Sequence, residues 1–156
     1  MVHEIDKSAV VTAVNEAYTQ YAKTTEGQNA SYIPYLKNIP PSLFGISVCM
    51  ADGERIEVGD TGYRFGIESV SKEPTAILAM KQHGTQTVMK KIGADATGLP
   101  FNSIIAILLE NDHPSTPLVN AGAITACSMI APTGNSDAKW LAIKGFVESL
   151  CGSAVE

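Results

Sequence analysis

A chain of 156 residues, 45% hydrophobic and 17% charged, is long enough for one domain or part of one and apolar enough to bury a core, which argues against a disordered tail. Its net charge of −5, with 11 scattered basic residues, argues against a nucleic-acid surface, and no uninterrupted apolar run approaches membrane-spanning length. The first six residues, Met1 to Asp6, lack the basic flank and apolar stretch of an export signal, so a cytoplasmic protein without a membrane anchor is expected.

Asp6 is placed to cap a helix over 7–23 whose buried stripe is Val10, Val14, Ala17, Tyr18 and Tyr21. A Thr24-Thr25-Glu26-Gly27 linker follows, and then an irregular arm from Asn29 to Ser42, broken by Pro34, Pro40 and Pro41. Phe44, Ile46, Val48 and Met50 alternate with small residues, Asp52-Gly53 turns the chain, and Ile56 and Val58 continue the alternation, so residues 44–58 are predicted to form an antiparallel hairpin. Two strands alone are marginal in water, so the hairpin must pack on helices or join strands from elsewhere.

A helical region spans 69–151. Its segments run from Thr75 to Gln82, closed by Gly84; from Gln86 to Lys91, closed by Gly93; onward from Ser103; onward from Val119; and from Ser136 to Leu150, closed by Gly152. The last is expected to bury Trp140, Ile143, Phe146, Val147 and Leu150. The fold class is α+β, mostly helical, with a sheet that is incomplete in this chain.

Within that region Ser69-Val70-Ser71-Lys72 places a hydroxyl and an amine three residues apart, on one face of a helix start. Such a pair suits nucleophilic catalysis, because a lysine that is partly neutral accepts the hydroxyl proton as attack begins. The spacing by itself is weak evidence, since about one such tetrapeptide is expected by chance in a chain of this length. Ser136-Asp137-Ala138-Lys139 repeats it after a Pro132-Thr133-Gly134-Asn135 turn, where the serine reads as a cap or first-turn residue. Cys49, Cys127 and Cys151 have no short pair spacing and sit among apolar residues, which predicts buried reduced thiols. His3, His83 and His113 stand far apart without a paired ligand, so no zinc site is expected.

Three segments in order, Ile67-Glu68-Ser69-Val70-Ser71-Lys72, Gly98-Leu99-Pro100-Phe101-Asn102-Ser103 and Asn120-Ala121-Gly122-Ala123-Ile124, resemble the bacterial-type glutaminases. Tyr32-Ile33-Pro34, the strand pair around Asp52-Gly53, Gly59-Asp60 and Tyr63-Arg64-Phe65 extend the likeness over nearly the whole chain. Two departures stand out. Glu73-Pro74 follows the Ser-x-x-Lys where the family carries apolar or aromatic residues, which predicts a shifted or kinked helix start. The length is about half of what the resemblance implies: the later Ser-Glu and Arg-Asn segment, the later tyrosines and the Lys-Ser-Gly strand are missing, so the chain reads as an amino-terminal half.

The resemblance implies a β-lactamase and penicillin-binding-protein-like fold and hydrolysis of L-glutamine through an acyl-enzyme, with no metal or cofactor. It implies that Ser69 attacks the side-chain amide and Lys72 takes the proton, while Ser69, Asn120 and Tyr32 bind substrate and Glu68 and Ser71 support them. Read from the residues alone, Asn120 is equally a helix cap, Tyr32 a packing residue, and Asn102 and Ser103 partners of local backbone. A homo-oligomer is expected, because an unpaired strand edge invites self-association. The alternatives are an inactive fragment or interaction module needing a second chain, and a penicillin-recognising serine acyltransferase.

Overall fold

The computed structural model describes residues 5–155, so His3 and the extreme amino terminus lie outside the described residues. The chain divides into two compact units, Met1–Phe65 and Gly66–Glu156.

The first unit is a helix on a hairpin. Helix α1 (Lys7–Tyr21) starts where expected: the Asp6 carboxylate accepts from the backbone N–H groups of Ser8 and Ala9, which otherwise lack intrahelical partners. It ends two residues before the predicted limit, as the N–H of Ala22 closes onto the Tyr18 carbonyl. Val14 is buried and Tyr18 stacks on Phe44 with ring centroids 5.5 Å apart, whereas Tyr21, expected in the stripe, is exposed. The arm contains one short helix, α2 (Pro34–Lys37), which proline opens from its first position.

Strands β1 (Gly45–Cys49) and β2 (Arg55–Gly59) form the predicted antiparallel hairpin, with Ile46 opposite Val58 and Val48 opposite Ile56. Gly59 adopts φ +78°, and a Cβ there would lie 2.3 Å from the Phe44 carbonyl oxygen and 2.4 Å from the Tyr18 ring. Only glycine allows α1 to come this close to the sheet.

The second unit carries the core. A 3₁₀ turn (Glu68–Ser71) leads into α3 (Lys72–His83), followed by α4 (Thr85–Met89), α5 (Ile104–Leu109), α6 (Asn120–Met129) and α7 (Ser136–Cys151). Ala79, Val88, Ile92, Ala126, Met129 and Ile130 form one buried cluster where α3, α4 and α6 meet. Gly152, left-handed at φ +68°, closes α7 as predicted, and Asn135 caps its start by accepting from Ala138 N–H at 3.0 Å.

Two burial expectations fail here. Val147 of α7 is buried, but Trp140 and Leu150 are exposed, because nothing among the described residues covers that flank. Cys49, Cys127 and Cys151 are all exposed free thiols rather than buried ones. Their apolar neighbours along the chain do not translate into cover in space.

Candidate active site

Glu68, immediately before the candidate nucleophile, has φ +45°. A non-glycine residue in the left-handed region carries a cost of order 1–3 kcal/mol, which the surrounding bonds must hold in place. Two local bonds do so: Ser71 Oγ donates to the Glu68 carbonyl at 2.6 Å, and Val70 N–H donates to the Ile67 carbonyl at 3.1 Å. Ser69 follows, exposed, inside this tight turn.

The predicted shift of the helix start has a specific form. Helix α3 begins at Lys72 rather than near Thr75, and Pro74 falls in its first turn, where a missing N–H costs least. Thr75 Oγ1 donates back to the Ser71 carbonyl at 2.8 Å, so the junction between the 3₁₀ and α segments is stitched on both sides.

Lys72 is where the three sequence segments meet. Its Nζ donates to Asn120 Oδ1 at 2.8 Å and to the Leu118 carbonyl at 3.1 Å, and lies 5.9 Å from the Phe101 ring centroid. Asn120 is therefore not the cap of α6; it is the first helical residue after Val119, and its side chain is turned to the lysine. Its own N–H donates to the Phe101 carbonyl at 3.2 Å.

Close packing sets these positions. A Cβ on Gly122 would lie 1.9 Å from the Thr116 carbonyl oxygen and 3.0 Å from Pro117 Cα, so the first turn of α6 rests on the backbone just ahead of Leu118. At the other end, His83 Nε2 lies 2.6 Å from the Met129 carbonyl and Gln82 Oε1 accepts from Ala131 N–H at 2.9 Å. Helices α3 and α6 thus run side by side in the same direction, tied at both ends.

A cavity of about 200 Å³ opens beside Asn120. Phe101, Ile107, Ala121 and Ile124 give it apolar walls, and Ser103 and Ser115 supply hydroxyls at its margin. Ser103 also accepts from Ala106 N–H as the cap of α5, the local role predicted for it.

Of the residues singled out from sequence, Lys72 and Asn120 are in direct contact, and Ser69 lies one turn ahead of Lys72. Tyr32 belongs to the first unit, 83% exposed in the bend before α2. Ser136 is an exposed first-turn residue of α7, with Oγ 3.5 Å from Asp137 Oδ1, which matches its predicted bland role. Sequence reasoning missed the Leu118 and Phe101 carbonyls, since backbone acceptors leave no residue-type signal. It also missed the left-handed Glu68. Among the described residues no group of three His, Cys, Asp or Glu is arranged to hold a metal ion, and no helix is long and apolar enough to cross a membrane.

Comparison with known proteins bears on the same segments. A family model described as Glutaminase matches residues 27–156. Glutaminase from Parabacteroides distasonis is 62% identical over 154 residues, covering 96% of this chain and 48% of the relative. The solved structure of a probable glutaminase, 44% identical, superposes with a TM-score of 0.87 over 94% of this chain and 47% of its own. A second, called Mglu and solved in an L-glutamate binding form, is 25% identical with a TM-score of 0.80 over 93% of this chain and 33% of its own. The chain spans about half the length of the curated relatives it matches.

Proposed function

The chain belongs to the glutaminase family, of β-lactamase-like α+β fold, and from that premise we propose that it supplies the amino-terminal half of an enzyme hydrolysing L-glutamine to L-glutamate and ammonia through a serine acyl-enzyme. The observation that carries the reading is Lys72, held by two acceptors one turn beyond Ser69. With two of its N–H bonds directed to Leu118 O and Asn120 Oδ1, Nζ keeps one position through which to exchange a proton with the Ser69 hydroxyl.

Ser69 Oγ then bonds to the side-chain carbonyl carbon, the C–N bond breaks, and the proton held by Lys72 leaves with ammonia. Water attacks the resulting ester, restores the Ser69 hydroxyl and releases glutamate. Hydroxyl, amine and water balance both steps, so the reading calls for no metal or cofactor. Asn120 serves both ends of this arrangement, accepting from Lys72 through Oδ1 and donating to substrate through Nδ2. Tyr32 enters as a substrate-binding residue through the family resemblance alone. The L-glutamate binding form of Mglu supports the substrate class.

The reading includes a cytoplasmic location, which three exposed free thiols suit, and a homo-oligomer of the completed protein. A second reading, an inactive module that needs another polypeptide, is favoured by the two-stranded sheet and the half length. A penicillin-recognising acyltransferase shares the Ser-x-x-Lys but not the family match.

The test is covalent labelling by a glutamine-mimicking electrophile in an assembly of this chain with a complementary carboxy-terminal half. Ser69→Ala should abolish labelling and Ser136→Ala should leave it intact. Labelling that survives the first change and is lost with the second would identify the other serine as nucleophile.

A further inference from the structure

Tyr32 has little of its own to hold it. It is 83% exposed, lies in a bend and takes part in no hydrogen bond among the described residues, so its place is set by the backbone on either side. On the carboxy-terminal side that backbone is α2, a single turn without a buried residue. So short a helix does not sustain itself, because one turn fixes several dihedral angles for very few hydrogen bonds.

Asn29 supplies the missing tie. Its side chain is half-buried, and its Nδ2 donates to the Leu36 carbonyl at 3.1 Å and to the Ile39 carbonyl at 2.6 Å. Both acceptors lie at or just past the end of α2, where the last carbonyls have no helical partner. An amide nitrogen carries two hydrogens, and here each has an acceptor. Among the described residues no other hydrogen bond joins residues 22–31 to residues 33–44. Asn38 is the contrast within the same arm: its Nδ2 reaches back to the Pro34 carbonyl at 3.3 Å, inside α2, and ties nothing across the bend. Residues 29–39 therefore form a loop closed at its base by one side chain, with Tyr32 in the part that closure constrains.

We propose that Asn29 is a positioning residue, closing the 29–39 loop so that Tyr32 is presented to substrate. The proposal rests on reading Tyr32 as a substrate-binding residue of a glutaminase. A loop that is open for part of the time lowers apparent affinity by the fraction of time it is closed, and saturating substrate restores closure, so the effect belongs to KM and not to kcat.

The experiment measures glutamine turnover by an assembly of this chain with a second polypeptide carrying the carboxy-terminal half of the Parabacteroides distasonis relative. Asn29→Asp keeps the shape, removes both donors and sets a carboxylate against two carbonyl oxygens. Asn29→Asp and Asn29→Ala should each raise KM about tenfold with kcat within about twofold, whereas Asn38→Ala should change neither. In a Tyr32→Ala background Asn29→Asp should raise KM by less than about twofold, because the group it positions is gone. A merely structural role would give the same factor in both backgrounds. Equal factors, a loss confined to kcat, a parent-like Asn29→Asp or a parent-like Tyr32→Ala would each overturn the proposal.

A measurement on the unsubstituted assembly decides the matter even if a variant misfolds. The side-chain NH₂ protons of Asn29 should exchange at least about tenfold more slowly than those of Asn38, and saturating L-glutamate should slow them further, since a ligand favoured by closure favours closure in return. Asn29 protons as fast as those of Asn38, or unmoved by bound L-glutamate, would overturn the proposal. An unsubstituted assembly that neither turns over glutamine nor binds L-glutamate would sink the glutaminase reading and the proposal with it; turnover with equal factors in the two backgrounds would sink the proposal alone.

Discussion

At Lys72 one atom joins three stretches of sequence that lie up to 48 residues apart. Replacing it with methionine keeps a stem of similar length and removes the base. In an active assembly Lys72→Met should lower turnover by about 10²- to 10⁴-fold, with only a small fall in melting temperature; near-normal turnover would mean that another group accepts the proton. A second residue tests electrostatics on a smaller scale. The Ser8 hydroxyl and the Ser8 and Ala9 N–H groups hold the Asp6 carboxyl below the usual carboxylate range. A carboxyl whose folded value is lowered stabilises the fold above its unfolded value, and that contribution is lost as pH falls through the folded one. The melting temperature of the parent should therefore fall more steeply than that of Asp6→Asn below about pH 4, the neutral amide having no proton to gain. Parallel curves would show that the cap is not ionic.

Elements were legible from sequence where a local rule decides them. The Asp6 cap, the Asp52-Gly53 turn between alternating strands and the Gly152 stop each depend on a few neighbouring residues, and each stands where predicted. Burial was less legible, because the apolar period of a helix tells which face seeks cover and not whether cover exists. Trp140 and Cys127 fit apolar surroundings along the chain and are exposed in the fold. In the candidate site the motif residues Lys72 and Asn120 do meet, whereas the Leu118 carbonyl and the turn at Glu68 follow from packing that no motif encodes. Gly122 lies between the two cases, since a glycine is plain in the sequence and the backbone it rests on, at the Thr116 carbonyl, is not. Gly122→Ala should cost about 1–3 kcal/mol in denaturant unfolding, because a backbone neighbour cannot rotate away as a side chain can. A cost no greater than that of Gly145→Ala, where a Cβ meets open space within 4 Å, would show that the first turn of α6 is not pinned there.

For the whole molecule, marginality follows from area. Hydrophobic burial is the dominant favourable contribution to folding and scales with the apolar surface removed from water, yet the described chain leaves Phe65, Ile104, Leu109, Ile124 and Trp140 mostly in solvent. The second unit has a packed centre in the Ala79 and Ile130 cluster, while the first has a single helix over two strands. The isolated chain should therefore bind an apolar dye strongly, self-associate, and, on the proposal that Ser69, Lys72 and Asn120 form part of a site completed by the polypeptide matching the relatives' other half, turn over glutamine poorly. Adding the complementary half should quench the dye signal and raise turnover at the same stoichiometry, since one event covers the apolar faces and completes the site. If the purified 156-residue chain is a dye-silent monomer with full glutaminase turnover, its exposed faces are tolerated by the native state and its site is complete.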